Sequence, residues 1–548
     1  MLHPENKLQV TDHRMKLLLV TAFAMLALAE GKAQNVPQTP RLVVSITIDQ
    51  LRYDYLERFS PLFCEHGFKR LMLEGTTCRN GFHNFINPDI ASATAAIHTG
   101  TSPSINGIIG REWFDRQKER LVSCIDDRNY LGNYTKQSVS PEKLMVSTLA
   151  DELKIATQDK ALVYSIAAEA ESAILAAGRN ANSALWINEE NGKWCSTTYY
   201  KDMPYWANQY NDTCSPDNTI EKYEWRPLLD PKTYVYLTTE WEEKDFRYDF
   251  KDFRALKFKK FIKSAMVNEE IANMAQQCFD NSKIGEDDIP DLLAITLYAG
   301  NFDDKSTIEC ALEIQDTYAR LDRQLARIID MAAKKSGGHD HLMVVVTATG
   351  YVGKENADLK KYRIPSGEFY INRCTALLNM YLMAKHGQGN YVAGYSNNQI
   401  YLNNELIKER KLNYDSLAID ATEFLSTFDG IANAYTAKRI QIGAWDPALQ
   451  QWRNIFNYRR SGDIMYDLQP GWSSRDENSY EYRIDRANFI ASPIFFWGSN
   501  IKSELIETPV NNNVVAPTVA YYLRIRAPNA AAARPMTNIW HGQKTHID

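Results

Sequence analysis

Several things are scarce in this chain, and each scarcity excludes something. There is no CxxC pair, so neither a zinc knuckle nor a thioredoxin-like site is supported. No charge block, Pro-rich linker or internal repeat interrupts the sequence. The formal net charge is only −6, with charged residues at 24%, which fits neither a basic nucleic-acid footprint nor low-complexity disorder. Mean hydropathy is −0.42, which excludes a polytopic membrane protein. What remains is a 548-residue chain with 44% hydrophobic content, enough for a large core, and with 30 Tyr and 11 Trp.

One apolar run stands out, Leu17 to Ala29, LLLVTAFAMLALA, after Met15-Lys16. It is short for a bilayer span, and Ala27-Leu28-Ala29 and Gly31-Lys32-Ala33 offer small-residue cleavage sites. This is the layout of a secretory signal peptide over 1–33; a buried core helix is the other reading. The polar stretch before Met15 does not suit a signal peptide, so translation is expected to start there. The mature chain is expected to begin near Gln34, to be exported to the periplasm or cell surface, and to carry no transmembrane segment. Export permits disulfides, and of the eight Cys, Cys195 and Cys214 form the candidate pair.

Arg41–Ile48, Leu292–Tyr298 and Leu342–Ala348 are near-continuous apolar runs. Such runs suit strands buried on both faces of a parallel sheet. Between the last two, Leu321, Leu325, Ile328, Ile329 and Ala332 make one apolar helical stripe. Strand, helix, strand at this spacing is a βαβ crossover. The fold class is therefore α/β, a mostly parallel sheet with helices on both faces. Its site is expected at the carboxyl ends of the strands: Asp49, the 300–305 segment and the 349–351 segment. Two insertions read as distinct. One, about 186–260, holds Trp186, Trp194, Trp206, Trp225 and Trp241. It is either an aromatic cap or a packed subdomain with aromatics as core. The other, about 352–450, shows mixed signals, with NNQIYLNN (397–404) reading as a strand and Tyr414–Phe428 as a helix.

Four segments then carry a resemblance: SITIDQLRYDYL (45–56), TGTSPSINGIIGREW (99–113), YRRSGDIMYDLQPGW (458–472) and SPIFFWGSNI (492–501). In order and spacing they resemble the alkaline phosphatase superfamily, in its type I phosphodiesterase/nucleotide pyrophosphatase-like branch, which includes exported alkaline phosphatases. The likeness spans one domain, 40–530. It implies a two-zinc site that clamps a phosphoryl oxygen and ionises a Thr or Ser nucleophile.

Position by position, most of what the resemblance implies is missing. Asp49 matches the first metal-binding Asp. The nucleophile slot falls on Ile90. The next two ligand slots fall on Asn301 and Lys305, and a lysine ammonium has no lone pair for a metal. A Thr-Ala-Asp-His-Gly signature is replaced by Thr347-Ala348-Thr349-Gly350-Tyr351, and the last His slot is Tyr482. A phosphate-binding Asn slot holds Arg111, and a Lys-x-Arg slot holds Glu169 and Glu171. One carboxylate cannot hold zinc tightly.

Two readings follow. In one, the chain is an exported pseudoenzyme with a binding or scaffolding role in the cell envelope. Its partner is an envelope protein or a small ligand, not nucleic acid, and it has no cofactor. Lys305 and Arg111 then pair with Glu169, Glu171 and Asp49 and neutralise the pocket. In the other, a phosphomonoesterase or phosphodiesterase has rebuilt its site. Ser92 or Thr94 then serves as nucleophile, or Asp49, Asp89, Asp303 and Asp304, with Asn301, hold Ca²⁺ or low-occupancy zinc. His339 and His341, just before a strand, read as a polar loop rather than a ligand pair.

Overall fold

Parallel pairing follows from the apolar runs. In the computed structural model, β1 (Leu42–Asp49) is buried at all eight positions. It lies between two parallel partners, Asp291–Tyr298 and Leu342–Ala348. The structure describes residues 39–237, 245–351, 363–478, 482–483 and 490–540. They belong to the compact unit Thr39–Asp548. The expected signal peptide and Trp241 lie outside the described residues.

The central strands, in chain order, are β1, β2 (Thr76–Phe82), β3 (Val163–Ile166), β4 (Ser183–Ile187), β5 (Trp194–Thr197), β6 (Asp291–Tyr298), β7 (Leu342–Ala348) and β8 (Ser492–Gly498). Across the sheet they run β2-β8-β7-β1-β6-β3-β4-β5, with short strands completing both edges. Strands β7, β1, β6, β3 and β4 are mutually parallel. β8 runs antiparallel to β7 and β2, and β5 antiparallel to β4. The result is a large, mostly parallel mixed sheet, as the apolar runs imply.

Alternation along β1 builds a core on each side. Leu42, Val44, Ile46 and Ile48 join one cluster with α3 (Met266–Asn281) and α4 (Ala311–Ser336). Val43 joins the opposite cluster with α5 (Val515–Leu523). α4 is the β6-to-β7 crossover, and its stripe Leu321, Leu325, Ile328, Ile329 and Ala332 is wholly buried. Each leucine and isoleucine of the stripe contributes roughly 1.5–3 kcal/mol of burial free energy.

Trp186 and Trp194 sit within β4 and β5, and Trp206 and Trp225 are also buried. The four described tryptophans of that region are thus packed core. Asp316 on α4 anchors the segment: it accepts from Trp225 Nε1, Leu228 N and Tyr234 Oη, each at 2.6 Å. Further on, Val392–Ser396, Gln399–Leu402, Ile464–Leu468 and Ile431–Thr436 form a four-stranded antiparallel sheet with its own core. The helix Tyr414–Leu425 packs into that core.

The Cys195–Cys214 pairing does not form, and all eight cysteines are free. Cys195 is buried in β5 with its thiol toward the Tyr134 and Lys193 carbonyls. Cys214 is exposed at the end of the helix Tyr205–Thr213. The intervening chain folds as strand and helix, which carries the two thiols to different environments.

Candidate functional site

Register puts the site together. Asp49 is opposite Tyr298 of β6, and Ile48 is opposite Ala348 of β7. The residues that follow β6 and β7 therefore emerge beside Asp49, at the carboxyl edge where α/β sheets place ligands.

Asp49 is buried and accepts the Thr349 hydroxyl at 2.5 Å on Oδ1. Thr349 in turn accepts the Gln50 backbone N–H at 3.3 Å. Gly350 has φ +91°, a backbone setting that a side chain at that position would strain. Tyr351 is buried, with its hydroxyl 3.4 Å from Asn301 Oδ1 and its ring under the Arg52 guanidinium. Asn301 is turned onto the Lys305 carbonyl at 2.9 Å.

Lys305 behaves differently from the expectation that it would neutralise the pocket carboxylates. Its ammonium lies 3.3 Å from Tyr248 Oη and over the Tyr248 and Phe302 rings. Among the described residues it forms no ion pair with Glu169, Glu171 or Asp49. The aromatic side chains contributed by the 245–253 segment and Phe302 offer it a nearer, half-buried berth.

Arg111 does pair as expected. Its Nη2 lies 3.4 Å from Glu169 Oε2 and 3.3 Å from Glu171 Oε1. The second cation is Lys263, whose Nζ is 2.6 Å from Glu169 Oε1. Glu169, then Glu171, hold the Arg111 pKa well above its ordinary value. Burial alone would pull the Lys263 ammonium down, but Glu169 and Asp49 outweigh it and its pKa is raised. Lys263 was invisible to motif reading. It ends the short helix Lys257–Ile262, a lysine-rich segment whose only sequence signal is Lys257, Lys260 and Lys263 at three-residue spacing.

The position expected from the family resemblance to hold the nucleophile opens helix α1 (Ile90–Thr99). Ile90 is its first residue and is buried. Asp89 is the N-cap: Oδ1 accepts from Ser92 N at 2.8 Å, and Oδ2 from Arg111 N at 2.6 Å. Ser92 completes the capping box and donates its hydroxyl to Asp89 Oδ1. Thr94 is fully buried within the helix. The Ser92 hydroxyl is thus committed to the helix cap, and the Thr94 hydroxyl is buried inside the helix.

The oxygen-donor alternative is dispersed in the same way. Asp303, at φ +58°, is paired with Lys260. The side chains of Asp304 and Tyr482 lie outside the described residues; the Tyr482 backbone pairs with Arg475. His339 packs edge-on against Trp497. Among the described residues, no three His, Cys, Asp or Glu side chains are grouped to hold a metal. Beside Asp49 stand the Thr349 hydroxyl, already given to it, and the Gln50 side-chain amide, whose Nε2 donates at 3.5 Å. That set does not fit a zinc ion, which needs three protein ligands for a catalytic site.

The sequence profile of type I phosphodiesterase / nucleotide pyrophosphatase matches residues 43–490. The chain belongs to that family. It is 28% identical to alkaline phosphatase PafA of Elizabethkingia meningoseptica, over 93% of this chain and 96% of that protein. It is 28% identical to alkaline phosphatase PhoV of Synechococcus elongatus, over 96% of this chain and 100% of the relative. A crystal structure of wild-type PafA superposes with a TM-score of 0.82 at 27% identity, covering 92% of this chain and 100% of that one. The chain therefore has the alkaline phosphatase fold, and the family likeness runs through the sheet that presents Asp49.

Proposed function

We propose that this family member does not hydrolyse phosphate esters and instead serves the cell envelope as a binding or scaffolding protein. One observation carries the reading: Asp49, the retained acid of the metal site, takes its hydrogen bond from Thr349. The slots around it hold Ile90, Asn301, Lys305 and Gly350. An aliphatic side chain cannot attack phosphorus, and an ammonium repels a dication.

The pocket's charge supports the same reading. Where a phosphate ester needs cations, Glu169 and Glu171 are committed to Arg111 and Lys263. A phosphate dianion beside two carboxylates is strongly disfavoured. Export rests on the leader at 17–29. Among the described residues no helix is long and apolar enough to cross a membrane.

The test is turnover. The purified chain is assayed on aryl phosphate mono- and diesters with Zn²⁺, Mg²⁺ or Ca²⁺ supplied. The reading expects no turnover above buffer with any cation. Turnover that disappears on Asp49→Ala would replace it with that of a hydrolase whose metal site has been rebuilt.

A further inference from the structure

Two cations in this pocket converge on one carboxylate. Lys263 Nζ is 2.6 Å from Glu169 Oε1, and Arg111 Nη2 is 3.4 Å from Oε2 of the same group. They come from unrelated segments. Arg111 follows the turn that Asp89 ties down through the Arg111 backbone N–H. Lys263 caps the helix Lys257–Ile262. Convergence of an ammonium and a guanidinium from separate elements is how proteins hold a carboxylate or phosphate ligand. Here the group held belongs to the chain itself, at the N-cap of α2 (Ala170–Ala177).

The cradle is reachable. The Arg111 and Lys263 side chains are 42% and 32% exposed, whereas Glu169 is 14% exposed. The anion is therefore the inner member and the cations face outward.

We propose that Glu169 is a tethered occupant of an oxyanion cradle formed by Arg111 and Lys263, an internal contact that shuts the cradle against phosphate and carboxylate ligands. A tethered carboxylate competes at an effective concentration on the order of millimolar or higher, so free anions lose to it at ordinary levels. Glu171 holds Arg111 from a second side and reinforces the closure. The inference concerns what the two cations bind, not whether esters are cleaved. A binding readout therefore tests it separately from the function proposed above.

The experiment titrates inorganic phosphate, and separately acetate, into the full chain and its Glu169→Ala variant by calorimetry, with thermal unfolding alongside. The wild-type chain should bind neither anion saturably. Glu169→Ala should bind both at least about tenfold more tightly than wild type, about 1.4 kcal/mol, and its unfolding temperature should rise with anion. Adding Lys263→Ala should remove that gain. Rescue by acetate alone would support the cradle and restrict its ligand class to carboxylates. A folded Glu169→Ala chain that binds neither anion better than wild type would overturn the proposal, as would a gain that persists without Lys263. Should Glu169→Ala fail to fold, Glu169→Gln keeps the shape and removes the charge. A folded Glu169→Gln chain that binds neither phosphate nor acetate better than wild type would equally overturn it.

Discussion

Thr349 donates its hydroxyl to Asp49 across a sequence separation of 300 residues, at 2.5 Å, and both groups are buried. The contact exists because β1 and β7 are parallel and in register up to Ile48 and Ala348. A buried carboxylate that loses such a donor bears a desolvation cost of about 1–3 kcal/mol. Thr349→Val should therefore destabilise the chain by about that amount in urea unfolding. Thr349→Ser, which keeps the donor, should stay within about 1 kcal/mol of wild type.

Glu270 on α3 is fully buried, and neutral donors hold it: Trp194 Nε1 donates to it at 2.8 Å and Tyr210 Oη at 3.2 Å. Burial pushes its carboxyl up to about 7 from the ordinary 4.5. The folded value is the higher one, so this contribution to stability is fully present below the ordinary value. It is lost as pH rises through about 7. Its size is on the order of 3 kcal/mol at most. Glu270→Gln should thus be more stable than wild type at alkaline pH and near wild type under acidic conditions. Thermal unfolding across that range reads the crossover, and a variant equally shifted at both ends would contradict it.

Asp316 gathers Trp225, Leu228 and Tyr234 and also pairs with Arg320 at 2.7 Å. Asp316→Ala leaves a buried indole N–H, a backbone N–H and a guanidinium without their acceptor. The expected cost is about 3–5 kcal/mol, with amide exchange rising in the 225–234 segment more than in β1.

All eight thiols are free, and Cys214 is the exposed one among them. A thiol reagent on the native chain should label Cys214 first, and Cys214→Ser should abolish the fast phase. Reductant should leave the unfolding temperature unchanged.

Much of the fold was legible because its central strands are apolar on both faces and its crossover helix carries one unbroken stripe. Asp49, Thr349 and Lys305 were placed at the sheet's carboxyl edge by the same reasoning. Lys263 was not, because the residue reaches Glu169 through tertiary packing of a segment that carries no motif. Cys195 and Cys214 misled for a related reason. Proximity along the chain suggested a bridge, but the strand and helix between them point the thiols apart. The pairing of Arg111 with Glu169 and Glu171, expected from their opposite charges, is present in the structure.

The central claim is that the pocket around Asp49 has exchanged metal chemistry for internal hydrogen bonds and ion pairs. Elemental analysis of the purified chain after dialysis against zinc, and then against metal-free buffer, tests this most directly. The expected result is no stoichiometric zinc, with the same residual content in wild type and Asp49→Ala. Stoichiometric zinc retained by wild type and lost in Asp49→Ala would contradict the claim.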